Sequence, residues 1–417
     1  MRRVGGLKLS GVKVRGFRAG RLLALVLFCL VFLCATRRAQ ARDATCVRGD
    51  GDGNFSVAFR TGVEVHIGAT RKDGFAIHSC DVSLVWGDHK LSVASGVAMS
   101  DLDAFGIDLG VGEPIAAFEV RESDKDCCSA YKIYSLQKPP RLLRTITGGS
   151  FFSASDADLD GRVEIWTDDS LAVRGFDNLT VAELDFAPPV VLRFAKNQLL
   201  DVGSEFQPHF DDVIAKLKTQ LTPEDLLDFK SSDGKLSPAS NEPVDYMHEM
   251  RKVKIKILEI AWTYLYSGRD EDAWKALANY WPAGDVERIR TKLVEMRKNG
   301  IRAQIDGASS GIQGKKKHAP VFDVLFGAER GPSQLILPQP ILIRTPPPST
   351  DRGLTRSEVV LDLLIDAAGK IRSVSPQGAE AVDPRITEIA QEWKFIPAFS
   401  GDHPVACRFR FGISARR

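Results

Sequence analysis

Charge imbalance is almost absent from this chain: 56 Lys and Arg face 54 Asp and Glu, a net of +2 over 417 residues. Such a balance gives no global attraction to nucleic acid or acidic membranes, and nucleic acid is not expected as a partner. Nucleotide-binding glycine signatures after a strand are missing too. The seven histidines are scattered (His66, His78, His89, His209, His248, His318 and His403) and fall into no HExxH or other zinc spacing. Gly307-Ala308-Ser309-Ser310-Gly311 has the GxSxG spacing, but a nucleophile elbow needs a strand before it and a helix after it. Here a polar segment precedes it and Lys315-Lys316-Lys317 follow, so it reads as linker. With no catalytic constellation left, a non-enzyme is expected.

A full-length membrane span is also lacking. The unbroken apolar run Leu22–Ala35 would make ~21 Å of helix, short of the ~30 Å hydrocarbon core. Before it stand Arg2, Arg3, Lys8, Lys13, Arg15, Arg18 and Arg21 with no acid among them, and after it comes Ala39-Gln40-Ala41. Basic region, short apolar core and small-x-small site read as a secretory signal peptide over residues 1–41. The competing reading is an uncleaved signal anchor, favoured by Arg37 and Arg38 beside the cleavage site. A periplasmic or envelope location is expected in the first case. The second gives an inner-membrane protein with a single N-terminal anchor, the chain's only expected membrane contact.

Cysteine is sparse. Outside the apolar segment stand Cys46, Cys80, Cys127, Cys128 and Cys407. Export permits disulfides, and the preferred pairing is Cys80 with Cys127 or Cys128, although connectivity does not follow from sequence.

What is present suggests an α+β multidomain chain. Residues 43–195 carry short alternating runs (Val63–Ile67, Val82–Trp86, Ala116–Val120, Tyr131–Leu136, Val163–Trp166, Val190–Phe194) separated by Gly, Asp and Pro, predicting an all-β domain. A sandwich or a few propeller-like blades would fit; a whole propeller would not, at ~40–45 residues per blade. Residues 205–305 switch to helical spacing. Phe206, Phe210, Ile214 and Leu217 share a face, and Thr222-Pro223-Glu224-Asp225 is a cap followed by Pro and acids. Helices are predicted over Val244–Tyr266, Arg269–Tyr280 and Asp285–Arg297. The pair around Gly268 is either an ordinary αα-hairpin or one tetratricopeptide-like unit, with Ala261, Tyr264, Gly268 and Ala273 at its small, aromatic, glycine and alanine positions. Residues 306–352, rich in Pro, Gly and Lys, read as a linker whose apolar pieces Val321–Phe326 and Leu335–Leu342 could dock on a neighbour.

The chemically richest motif is Asp156-Ala157-Asp158-Leu159-Asp160-Gly161-Arg162-Val163-Glu164. Carboxylates at i, i+2 and i+4 converge when the chain curls. Gly161 permits the turn, the Arg162 carbonyl can point inward, and Glu164 closes the set. Hard oxygen ligands in such a loop suit Ca²⁺; the alternative is an Asp/Gly-rich hairpin without metal. The spacing resembles the calcium loops of FG-GAP and integrin-type β-repeats. Asp50-Gly51-Asp52-Gly53-Asn54 is a fainter echo.

Residues 353–417 read as β-β-α-β. Glu358–Asp366 runs to a turn at Ala367-Ala368-Gly369-Lys370, and Ile371–Ser375 returns. Asp383–Trp393 is a helix with Ile386, Ile389, Ala390 and Trp393 on its buried stripe, and Val405–Ile413 is the last strand. With Leu364-Ile365-Asp366…Gly369-Lys370-Ile371, Trp393-Lys394-Phe395-Ile396-Pro397-Ala398 and Pro404-Val405 in this order, the segment resembles the TonB C-terminal domain family. The resemblance implies that an envelope protein or extended peptide pairs with the last strand, at Val405, Cys407, Arg408, Phe409, Arg410 and Phe411. On the residues alone, Arg408 and Arg410 could equally be charges that block an edge. The function expected is a non-catalytic adaptor of the cell envelope. The alternatives are a TonB-type energy transducer for outer-membrane transport, which demands an anchor and a spacer, and a structural calcium-binding envelope protein.

Overall fold

A computed structural model describes residues 45–47, 54–71, 78–123, 128–179, 184, 186–236, 243–309, 318–324, 335–344, 358–377 and 384–414. The N-terminal leader with its apolar run, most of the Asp50–Asn54 echo, Cys127, Lys315–Lys317 and Asp383 lie outside these residues.

The chain is mixed α+β, with strands predominating. Strand β1 (Thr45–Val47) opens the described part. Next comes an antiparallel meander of β2 (Asn54–Ala58), β3 (Glu64–Arg71), β4 (His78–Trp86) and β5 (His89–Val97) in that spatial order. A second meander follows: β6 (Met99–Ile107), β7 (Ile115–Arg121), β8 (Ser129–Ser135) and β9 (Leu142–Gly149), with β1 added to the free side of β6. A third contains β10 (Phe152–Ser155), β11 (Glu164–Asp168), β12 (Pro189–Ala195) and β13 (Gln198–Asp201). The period of two drives each of them. In β3, Val65 and Ile67 are buried while Glu64 and His66 are exposed, and β4 buries Cys80, Val82 and Leu84 against them.

The cysteine expectation is corrected here. Cys80 on β4 is disulfide-bonded to Cys46 on β1, not to Cys127 or Cys128. The reason is topological: β1 pairs with β6, so Cys46 is carried to the seam between the first two meanders. Cys128 is itself in a disulfide.

After the short helix α1 (Ser170–Val173), five helices follow the third meander: α2 (Gln207–Lys218), α3 (Pro223–Lys230), α4 (Val244–Tyr266), α5 (Asp270–Tyr280) and α6 (Val286–Asn299). The Thr222 hydroxyl caps α3 by accepting the Asp225 N–H at 3.2 Å. Gly268, at φ 77°, turns the chain between α4 and α5, where Ala261 and Ala273 are fully buried and let the helices close up. These helices pack onto the sheets rather than apart from them. One core joins Ile133, Phe152 and Leu192 of the meanders to Trp262, Leu277 and Trp281 of the helices. Asp169 pins the seam, accepting the Tyr266 hydroxyl at 2.6 Å and the Ile301 N–H at 3.0 Å.

Among the described residues, the segment read as a linker contributes four short strands. β14 (Gly307–Ala308) pairs in parallel with β13, so the GxSxG segment extends a sheet; the Ser309 hydroxyl donates to Glu205 at 2.6 Å. β15 (Phe322–Val324), β16 (Leu335–Ile336) and β17 (Gln339–Leu342) join the C-terminal residues. These form β18 (Glu358–Ile365), β19 (Ile371–Pro376), helix α7 (Pro384–Ala390), β20 (Lys394–Ile396), β21 (Ala398–Ser400), β22 (His403–Val405) and β23 (Cys407–Ser414). The sheet order β15-β23-β18-β19 sits over a core of Leu361, Leu363, Ile386, Trp393 and Phe395. All described residues belong to one compact unit, Arg42–Arg417.

Candidate metal centre

The loop between β10 and β11 curls because two residues adopt left-handed backbone: Leu159 at φ 56° and Gly161 at φ 83°. Its first carboxylate organises the curl from inside. Asp156 accepts the Asp160 N–H at 2.9 Å and the Gly161 N–H at 3.1 Å, and is fully buried. The result gathers Asp156, Asp158 and Glu164, whose carboxylate oxygens lie within 4.8 Å of one another.

Glu164 is fully buried at the start of β11. One of its oxygens, Oε1, accepts from Arg193 at 3.2 Å; the other, Oε2, is buried with no hydrogen-bond partner. An unsatisfied carboxylate oxygen in the interior is costly, and here it belongs to the residue that completes the acidic group. Burial, then the neighbouring Asp158 carboxylate, push Glu164 up to about 8. Burial, then Asp366, push Asp156 up to about 7. The geometry therefore collects negative charge that calls for a proton or a cation.

Of the four carboxylates anticipated as ligands, that of Asp160 stands apart from the gathered three. The Asp160 carboxylate accepts from the Arg162 Nε at 2.8 Å and from its N–H at 2.9 Å, so this aspartate is turned onto the arginine. Arg162 spends its guanidinium on Asp160 and, at 3.6 Å, on Glu205. Spacing could not separate these outcomes, because a carboxylate two residues before an arginine can reach it as readily as it can reach a shared ion. Arg193 and Glu205, joined by two hydrogen bonds of 2.9 and 2.7 Å beneath Glu164, carried no local signal.

The C-terminal residues lie directly on this loop. Asp366, at the β18–β19 turn, accepts the Asp156 N–H at 3.2 Å and the Ser155 hydroxyl at 3.3 Å. Arg372 donates to the Ser155 hydroxyl at 3.1 Å and to the Ala157 carbonyl at 3.2 Å. Nearby, Lys394 donates to both oxygens of Asp101 at 2.7 and 2.6 Å and to the Leu102 carbonyl at 2.8 Å. Lys370 reaches Asp103, which also accepts the Tyr131 hydroxyl at 2.6 Å and the Ala154 N–H at 2.7 Å. Asp366 and Lys370 stand in the turn of the hairpin, and Lys394 stands beside Trp393; the sequence marks these positions without naming their partners.

The expectation that the last strand presents an edge fails over Cys407–Phe409. There β15 pairs with β23 in parallel, with Phe322 opposite Cys407, Asp323 opposite Arg408 and Val324 opposite Phe409. Phe322 and Val324 pack against the core beneath the C-terminal sheet, while Asp323 meets Arg408 at 3.4 Å. Apolar side chains at alternate positions make pairing more favourable than exposure. Arg410 is engaged across the sheet by Asp362, at 2.8 and 3.1 Å, rather than standing as an outward blocking charge. Val405 pairs with Ala398 on β21, and Phe411 makes an edge-on contact with Trp393 at 5.7 Å between centroids.

Among the described residues no helix is long and apolar enough to cross a membrane. No protein-family model matches the chain, and neither a curated protein nor a solved structure matches it.

Proposed function

We propose that the chain is an exported, non-catalytic adaptor of the cell envelope, in which a Ca²⁺-binding loop braces a TonB-like C-terminal module against a β-rich body. The observation that carries this reading is the buried, unpartnered Glu164 Oε2 in a group with Asp156 and Asp158, directly beneath the hairpin that holds Asp366. Asp156, Asp158 and Glu164 would hold the ion. Carboxylates with backbone carbonyls and water are the usual oxygen set of Ca²⁺, whereas Zn²⁺ favours nitrogen and sulfur. The charge of the ion would keep the three carboxylates ionised inside the protein and offset their mutual repulsion.

The test is calcium titration of the full chain by calorimetry, with terbium luminescence as an independent probe. A saturable site that Asp158→Ala abolishes is expected, together with a melting temperature that falls on chelation in the wild type and not in the variant. A melting curve indifferent to chelator would sink the reading.

A further inference from the structure

The segment His318–Val324 touches the acidic loop at one end and the last strand at the other. At its start, the His318 Nδ1–H donates to the Asp158 carbonyl at 3.0 Å, and the Ala319 N–H donates to the Leu159 carbonyl at 2.9 Å. Gly161 faces the same segment so closely that a Cβ on it would lie 3.2 Å from the Ala319 Cβ. Only Pro320 and Val321 separate Ala319 from Phe322, whose N–H donates to the Ala406 carbonyl at 3.0 Å as β15 begins. From the other side, Asp366 and Arg372 hold Ser155, Asp156 and Ala157. Five consecutive residues, 155–159, thus each share a hydrogen bond with the strap or with the hairpin, the first two as donors and the last three as acceptors, and two of them, Asp156 and Asp158, also bring carboxylates to the acidic group.

We propose that ion binding in the acidic loop and closure of the strap over the last strand form one coupled equilibrium. Resting on the reading of the loop as a cation site, this assigns the ion a regulatory role: with it bound, the loop presents the Asp158 and Leu159 carbonyls to His318 and Ala319, and β15 covers Cys407–Phe409. Without it, the buried Glu164 Oε2 is left with no partner, the loop relaxes, and the strap loses its anchor. The edge of β23 then opens to a strand of the same chemistry as Phe322-Asp323-Val324, apolar at alternate positions around an acid. Coupling of this kind is reciprocal, so whatever weakens closure must weaken ion binding by the same factor.

Hydrogen exchange on the full chain, read at the amides of Phe322–Val324 and Cys407–Phe409 with calcium and with chelator, tests it. Calcium should slow exchange at these amides, and Asp158→Asn should remove that response. Phe322→Ala, which leaves every carboxylate in place, should weaken calcium binding by about 5-fold or more. Calcium that binds the wild type yet leaves these amides unchanged, with Phe322→Ala binding as tightly as the wild type, would overturn the coupling and leave the metal site standing. A wild type that binds no calcium would overturn the metal site, and the coupling with it.

Discussion

The Asp366 carboxylate accepts the backbone N–H of Asp156 across 3.2 Å, joining the tip of the C-terminal hairpin to the first acid of the loop. The same carboxylate accepts the N–H groups of Ala368 and Lys370, both at 2.9 Å, so it shapes its own turn while holding another. Asp366→Ala leaves several buried donors unmet at about 1–3 kcal/mol each. A loss of about 3 kcal/mol or more in urea unfolding is expected, with Asp366→Asn milder because it keeps an acceptor oxygen.

Lys394 and Asp101, beside Lys370 and Asp103, form a polar anchor between the C-terminal module and the second meander. Removing one member of a largely buried pair leaves the other charge stranded, at about 3 kcal/mol. Lys394→Met should therefore cost far more than the double change with Asp101→Leu. A double-mutant cycle reads the coupling, and additive losses would show that the two residues act independently.

Trp393 is 1% exposed and its indole N–H donates to the Arg344 carbonyl at 2.7 Å. Truncating a large buried aromatic costs ~3–5 kcal/mol. In the full chain Trp393→Ala should raise amide exchange in β18, β19 and β23 first, with the first meander retaining its protection. Uniform exchange throughout would mean that the module and the body unfold together.

Asp177 gives an acid-dependent component of stability. Burial alone would raise its pKa, but hydrogen bonds from Arg288 and Lys254 and the charge of Lys254, with Lys292 adding a further bond, hold it well below the ordinary 3.8. Lys254 lies 2.7 Å away and Lys292 3.0 Å. A carboxylate whose folded pKa is depressed contributes stability above its unfolded pKa, and the contribution is lost as pH falls through the folded one. Stability should drop as pH is lowered below about 4. Asp177→Asn should flatten that limb while lowering stability at neutral pH, as measured by urea midpoints across the range.

Local signals account for what could be read in advance. The alternation of Val63, Val65 and Ile67, the helix Val244–Tyr266 and the Thr222 cap depend on neighbours within a few residues, and each has its counterpart in the structure. The acidic spacing at Asp156–Glu164 marked a loop in which three carboxylates, those of Asp156, Asp158 and Glu164, come within 4.8 Å of one another. What stayed hidden is set by distant segments. Nothing near Cys80 favours Cys46 until β1 is placed beside β6, and nothing near Asp101 announces Lys394. Asp160 shows a subtler limit, since Arg162, two residues on, takes up its carboxylate oxygens. The apolar piece Val321–Phe326 was legible as able to dock, but β15 within it is three residues long, too brief to name the strand it pairs with.

Cys407 lies fully buried on β23, opposite Phe322 and Ile365, and burial pushes its thiol up to about 12. Thiol–disulfide exchange requires a thiolate that can reach a sulfur. In a protein that carries Cys46–Cys80 as a finished bond, such a thiol is kept chemically silent by its place in the core beneath the C-terminal sheet. Opening that core would expose a nucleophile where none was available, so the speed with which an added thiol reagent labels Cys407 is a clock for how often the sheet and its core part.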